Sequence, residues 1–124
     1  MEYYIDFNSD EAIYIQLCNQ IIYGIATNQL SEGDSLPSVR SLADEININM
    51  HTVNKAYGIL REEGYVKLDR RRGAIISIDR DKSAILEAMK DRIMATVARG
   101  ICSGVTREEA HAIIDDLYDR LTGQ

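Results

Sequence analysis

Three consecutive guanidinium groups, Arg70, Arg71 and Arg72, stand between Asp69 and Gly73 in a chain whose formal net charge is −6. A guanidinium is a planar fork of donors that suits phosphate oxygens or the O6 and N7 of guanine. Set in a loop before a glycine, such a run is either a solvated turn or a finger for an anion. Net charge does not separate the two, because the distribution of charge decides what a surface attracts. Residues 46 to 61 contain Lys55 and Arg61 and no acid, and residues 67 to 72 hold Lys67 and the three arginines against Asp69 alone. The acids gather elsewhere, at Asp6, Asp10 and Glu11 and at Asp115, Asp116 and Asp119. That pattern predicts a local basic surface on an acidic body.

Other chemistry is poorly served. Nothing pairs a nucleophile with a base, and there is no glycine-rich phosphate loop, so no enzymatic activity and no cofactor are expected. Cys18 and Cys102 are far apart and belong to no CxxC pair, which argues against a metal site or a disulfide framework. His51 and His111 have no neighbours spaced to complete a zinc site, so no metal is expected. No apolar run approaches the roughly 18 residues of a membrane span, and the start MEYYIDFNSDEA is unlike a secretory signal. With 45% apolar residues, one Pro and eight Gly over 124 positions, the composition suits a soluble, cytoplasmic protein without a flexible linker or membrane partner.

The elements that must position these residues follow from periodicity. Ile13, Leu17, Ile21 and Ile25 mark one face of a helix over Glu11–Gln29. Pro37 disfavours helical geometry at Leu36, and Ser38 can cap a short helix that buries Val39, Leu42, Ala43 and Ile46. Asn49 is the next candidate cap, before a helix burying Val53, Ala56, Tyr57 and Leu60 and ending at Gly64. His51, Thr52, Asn54 and Lys55 fall outside that stripe. Two short helices whose second has a polar first half describe a helix-turn-helix. Gly58 in mid-helix allows either close helix packing or close approach of DNA. Tyr65–Leu68 and Ala74–Ile78 are β-favouring runs, so a hairpin with a connection over residues 69–73 follows, with the arginines at its tip. Beyond residue 80 the pattern is helical. Leu86, Met89, Ile93 and Val97 form one stripe, Thr106 and Glu109 a capping box with Val105 and Ala110 at the staple positions, and Ile113, Ile114, Leu117 and Leu121 a second stripe. Two such helices cannot enclose a cavity. Their stripes need a partner, and a second copy of the chain is the simplest one.

The stretch GDSLPSVRSLADEININMHTVNKAYGILREEGYV resembles the DNA-binding domain of GntR-type bacterial transcription regulators. The matching elements are Leu36-Pro37-Ser38-x-Arg40-x-Leu42-Ala43, Thr52-Val53-Asn54-Lys55-Ala56-Tyr57, and Leu60 with Glu63-Gly64, and the likeness covers roughly residues 9 to 78. The short two-helix tail is similar to that of the YtrA subfamily. The resemblance implies a mainly α fold with a small β-hairpin (α+β): a winged helix-turn-helix DNA-binding domain over residues 1–79 and a helical dimerisation or effector tail over 80–124. It puts DNA contacts on Ser38 and Arg40, on Asn49, His51, Thr52, Asn54 and Lys55 of the recognition helix, and on Arg70, Arg71, Arg72 and Gly73 of the wing. Arg40 would reach a guanine or the backbone near it. Asn54 suits a bidentate contact to adenine and Lys55 a phosphate, while His51 is either a DNA donor or an ordinary exposed histidine. Either Asn49 or Thr52 caps the helix. The family's wings usually carry Gly-x-Gly; here Arg71 stands where the first glycine would be, which favours phosphate contacts over a deep minor-groove insertion.

The implied function is a sequence-specific DNA-binding transcriptional regulator from a bacterium, most simply a repressor, binding a near-palindromic operator in double-stranded DNA as a homodimer. A small-molecule effector is left open, with no residue set pointing to one. The alternative is a winged-helix module for protein contacts, whose basic wing meets an acidic partner.

Overall fold

Leu17 and Ile21 are fully buried, and from them the first helix takes its orientation. The computed structural model describes residues 1–78 and 81–123, in two units, Met1–Asp79 and Arg80–Gln124. The boundary residues Asp79 and Arg80, like Gln124, lie outside the described residues.

In the first unit, helix α1 spans Ile13–Ala26, shorter than its apolar pattern suggests. Asn28 takes a left-handed φ of 64°, and the amide of Leu30 donates back to the Gly24 carbonyl, which turns Leu30 into the core. Only the middle two of the four stripe residues are fully covered. A spacing of four advances about 40° per step on a helix of 3.6 residues per turn, so Ile13 and Ile25 rotate away while Cys18 and Gly24 turn inward. The Cys18 thiol donates to the Ala56 carbonyl at 3.4 Å, and burial pushes its pKa up to about 11.

Ahead of α1, residues 4 and 6 are held by two glutamines one turn apart. Gln16 accepts from the Asp6 amide at 2.9 Å and donates to its carbonyl at 3.1 Å. Gln20 does the same for Tyr4, accepting from its amide at 2.8 Å and donating to its carbonyl. Each carboxamide sets a donor and an acceptor against one residue, as a neighbouring strand would, and Gln16 spends a further donor on the Glu11 carbonyl at 2.9 Å. The clasp lays the segment along α1 and buries Ile5.

Helix α2 spans Val39–Ile46 and α3 spans Met50–Glu62, joined through Asn47 in a left-handed conformation (φ 57°). The helix-turn-helix expected from the sequence is present, and α3 packs on both α1 and α2. Val53, Ala56, Tyr57 and Leu60 are all buried, as their three-and-four spacing predicts. Strands β1 (Val66–Asp69) and β2 (Gly73–Ile76) pair antiparallel, with Val66 opposite Ile76 and Asp69 opposite Gly73. The connection is therefore the three residues Arg70–Arg72 rather than five. The hairpin has a third member that periodicity does not reveal. Ser35 bridges Ile75, the Gly33 and Leu36 amides donate to the Ile76 and Ala74 carbonyls at 2.8 Å, and the Ile76 amide returns to Asp34 at 2.9 Å. Leu17, Ile21, Leu42, Val53, Leu60 and Ile76 fill the centre, so every element of this unit sends at least one side chain into one core.

The second unit consists of α4 (Lys82–Cys102) and α5 (Arg107–Thr122). Ser103 and Gly104 end α4, the latter at φ 83°, and the Val105 amide donates to the Gly100 carbonyl at 2.9 Å. Thr106 and Glu109 form the capping box read from the sequence, at 3.1 and 2.9 Å. Hydrogen bonds from the Thr106 amide and then from its hydroxyl hold the Glu109 carboxyl below its ordinary pKa. Val105 lies against Gly100. No residue of either helix is buried. Leu86 and Ile113 are each 56% exposed, and Met89, Ile93, Val97, Ile114, Leu117 and Leu121 are also open. Along α4, Ile93, Met94, Val97 and Ile101 form a continuous apolar strip.

Candidate nucleic-acid interface

The first turn of α2 is built by a proline, a serine and a distant tyrosine. Ser38 is extended (φ −60°, ψ 154°), and its hydroxyl accepts the Ser41 amide at 3.0 Å, so one orphan donor of the helix start is satisfied. The Tyr57 hydroxyl, reaching from α3, donates to the Pro37 carbonyl at 2.8 Å. Burial raises the Tyr57 pKa, so the phenol keeps this proton. Arg40 projects from the turn thus fixed and is exposed.

The start of α3 uses the same device. Asn49 accepts the His51 amide at 2.7 Å, which makes Asn49 the cap and leaves the Thr52 side chain without that task. Asn49, Met50, His51, Asn54 and Lys55 are exposed and Thr52 half-buried. Lys55 has a neighbour that sequence reasoning missed: its ammonium lies 3.9 Å from the centroid of the Tyr14 ring on α1. A cation seated on an aromatic face gains about 0.5–1 kcal/mol at an exposed site. The contact directs an otherwise flexible side chain.

The hairpin turn separates the three arginines. Asp69 accepts the Arg71 and Arg72 amides at 2.8 and 3.0 Å, and these bonds, the Arg71 one first, hold its carboxyl below the ordinary value. Gly73 takes the left-handed φ of 76° that closes the turn. The Arg72 guanidinium donates back to the Gly33 carbonyl, on the segment that flanks β2. Arg70 and Arg71 keep exposed side chains with no bond to another described residue. The run thus divides into two outward cations and one that ties the turn to the sheet.

Between α3, the start of α2 and the hairpin runs an open groove of about 330 Å³. Ser38, Asn54 and Arg61 supply its polar rim; Tyr57, Val66 and Ala74 are among its apolar walls. Gly58 lies in this lining, and a Cβ built on it would meet nothing within 4 Å. Helix packing therefore does not require this glycine. Arg40, Lys55, Arg61, Lys67, Arg70 and Arg71 have no salt bridge to a described residue, and in the tail Arg120 alone among the described cations has one, to Asp116 at 2.9 Å. Seven cations of the first unit fall between residues 40 and 72. Among the described residues no cluster of three His, Cys, Asp or Glu is placed to hold a metal ion, and no helix is long and apolar enough to cross a membrane.

Of the residues singled out in the sequence, Ser38, Arg40, Asn54 and Gly73 fall at the rim or mouth of the groove or in the helix turn beside it, and Arg70–Arg72 at the hairpin turn. Asn49, His51 and Thr52 stand at the α3 N-terminus, with Lys55 one turn on. Sequence reasoning passed over the Gly33–Leu36 segment, because its residues show neither alternation nor β-branching. It also gave Arg61 no role, although Arg61 follows Asn54 by seven residues and so shares its helix face.

Comparison with known proteins agrees with this geometry. The HTH-type transcriptional repressor YtrA of Bacillus subtilis is 33% identical over 96% of this chain and 94% of its own. A crystal structure of a transcriptional antiterminator from Listeria monocytogenes EGD-e superposes with a TM-score of 0.85, at 27% identity, over 97% of this chain and 92% of that one. YtrA from Sulfolobus acidocaldarius, a GntR-family transcription factor, is 35% identical over 94% of this chain and 96% of that one, with a TM-score of 0.57. The family model for bacterial regulatory proteins of the gntR family matches residues 11–76, the span that carries α1, the helix-turn-helix and the hairpin. A winged helix-turn-helix with that match, followed by a two-helix tail, makes the chain a member of the gntR family of bacterial regulatory proteins, of YtrA-like type.

Proposed function

We propose that this gntR-family protein is a sequence-specific DNA-binding repressor that works as a homodimer in the cytoplasm on a near-palindromic operator. One observation carries the reading: the seven Lys and Arg of residues 1–79 all lie on the start of α2, on α3 and on the hairpin, in a chain of net charge −6. Unpaired cations beside a capped helix N-terminus are what a polyphosphate surface attracts. Arg40 reads a base or the phosphate beside it, and Ser38, Asn49, His51, Thr52, Asn54 and Lys55 present the major-groove face. Arg70 and Arg71 take phosphates at the flank. Arg72 and Gly73 hold the turn that presents them. The repressor role follows the name of the Bacillus subtilis relative.

The homodimer rests on the tail. Helices in proteins draw most of their stability from packing an apolar face, and α4 and α5 bury nothing of their own. Leu86, Met89, Ile93 and Val97, with Ile113, Ile114, Leu117 and Leu121, face a second copy in this reading. A dimer then offers two recognition helices to successive turns of a two-fold operator. The chain over residues 1–79 serves as the DNA-binding domain and 80–124 as the dimerisation tail.

Titration of a mixed-sequence duplex at increasing salt tests the proposal. Affinity should fall with a log–log slope of about −0.9 per phosphate neutralised. Indifference to duplex DNA in dilute buffer would favour the protein-binding module instead.

A further inference from the structure

The residues so far assigned to DNA leave the groove between α3 and the hairpin without an occupant. Its lining contains two features that the recognition motifs do not explain. Gly58 stands in the middle of a helix, where glycine is the least favourable residue after proline. Its backbone is not left-handed, and a side chain there would meet open space rather than protein. Neither conformation nor packing calls for it. Arg61, one turn further on, is exposed and carries no salt bridge to a described residue.

B-DNA geometry supplies the missing occupant. The major and minor grooves of a duplex are separated by one sugar-phosphate strand. A duplex that takes the first half of α3 in its major groove, and the hairpin turn beside the adjacent minor groove, has that strand lying between the two. The groove described above occupies that interval. Its rim offers the Arg61 guanidinium and the Asn54 carboxamide, both exposed, and Gly58 between them removes the side chain that would stand in the way. We propose that this groove seats a backbone phosphate of double-stranded DNA, with Arg61 as the donor and Gly58 as the residue that allows the strand to approach. The proposal rests on the DNA-binding reading above and extends it to two residues outside the recognition motifs.

Arg61 also sits in the last turn of α3, where a cation complements the negative end of the helix. That role predicts lost stability on substitution and no change in DNA binding. The two are separated by measuring melting and duplex affinity together, on the full chain, with a mixed-sequence duplex over a range of salt. Gly58→Ala should raise the melting temperature by about 5 °C through helix propensity and still weaken duplex binding. Gly58→Met should weaken it further. Arg61→Ala should cut affinity about tenfold at low salt and reduce the salt slope by about 0.9, whereas Arg61→Lys should keep the slope. Arg71→Ala serves as the control for the hairpin. If it loses affinity while Gly58→Ala, Gly58→Met and Arg61→Ala bind like the unaltered chain with the same slope, the groove holds no phosphate and the inference falls alone. If the unaltered chain ignores the duplex, the inference falls together with the reading beneath it.

Discussion

The first 78 residues and the tail are made of similar material and end differently. Each apolar stripe in α1, α2 and α3 finds another element of the same chain, and the fully buried set draws on all three helices and β2. The stripes of α4 and α5 are as regular, yet no residue on either helix is buried. Periodicity alone therefore announces that a face is meant to be covered. What covers it depends on whether the chain folds back with other layers to meet it. The first unit covers its own stripes; the tail leaves its stripes open.

Several substitutions would break that contrast or sharpen it. Leu60→Ala should be the most damaging. Leu60 is fully buried, so losing it costs about 2–5 kcal/mol, read as a lower melting temperature of the first unit. If the proposed dimer pairs through the tail, Ile93→Glu with Leu117→Glu should leave that unit folded and give monomers in sedimentation; a persistent dimer would move the interface elsewhere. Arg40→Ala should cost about 1–3 kcal/mol of operator binding if Arg40 reads a base, with melting unchanged because Arg40 is exposed.

The caps give a finer comparison. Asn49→Ala removes the acceptor for the His51 amide in a helix held by a core, and Thr106→Ala opens a capping box in a helix with none. Each cap contributes about 1 kcal/mol. In the first case the melting temperature should fall while helix content holds; in the second, circular dichroism of the diluted protein should show lost helix. Equal responses would mean that the tail is better supported than its exposure indicates.

The smallest effect is a matter of acidity. Asp69 is held below the ordinary carboxylate value by the Arg71 and Arg72 amides. A lowered folded value means that its stabilisation of the hairpin turn is complete above about pH 4 and drains away as pH falls through the depressed value. Amide resonances of Arg71 and Arg72 should report a midpoint below that of an unperturbed aspartate. In Asp69→Asn that titration should vanish.

Much of this was legible before any coordinates. Ser38 and Asn49 cap their helices because a short side-chain acceptor ahead of an apolar stripe has one obvious use. Thr106 and Glu109 close their box for the same local reason. Less visible was whatever depends on two distant segments meeting. The Gln16 and Gln20 clasp on residues 6 and 4 looks like two ordinary helix-surface glutamines. The seat of Lys55 on Tyr14 spans 41 residues of sequence (55 − 14). Arg72 reads like Arg70 and Arg71 until the Gly33 carbonyl is found beside it.

By itself, the sequence determined the order of elements, the helix starts and the faces to be buried, because hydrogen bonds over three or four residues and the 3.6-residue period are local physics. Only the tertiary structure decided which cations stay free for an anion and which are tethered, and that α3 and the hairpin leave a groove with Gly58 and Arg61 in its wall. Those outcomes turn on a few ångströms between residues far apart in the chain. Periodicity carries no information about such distances.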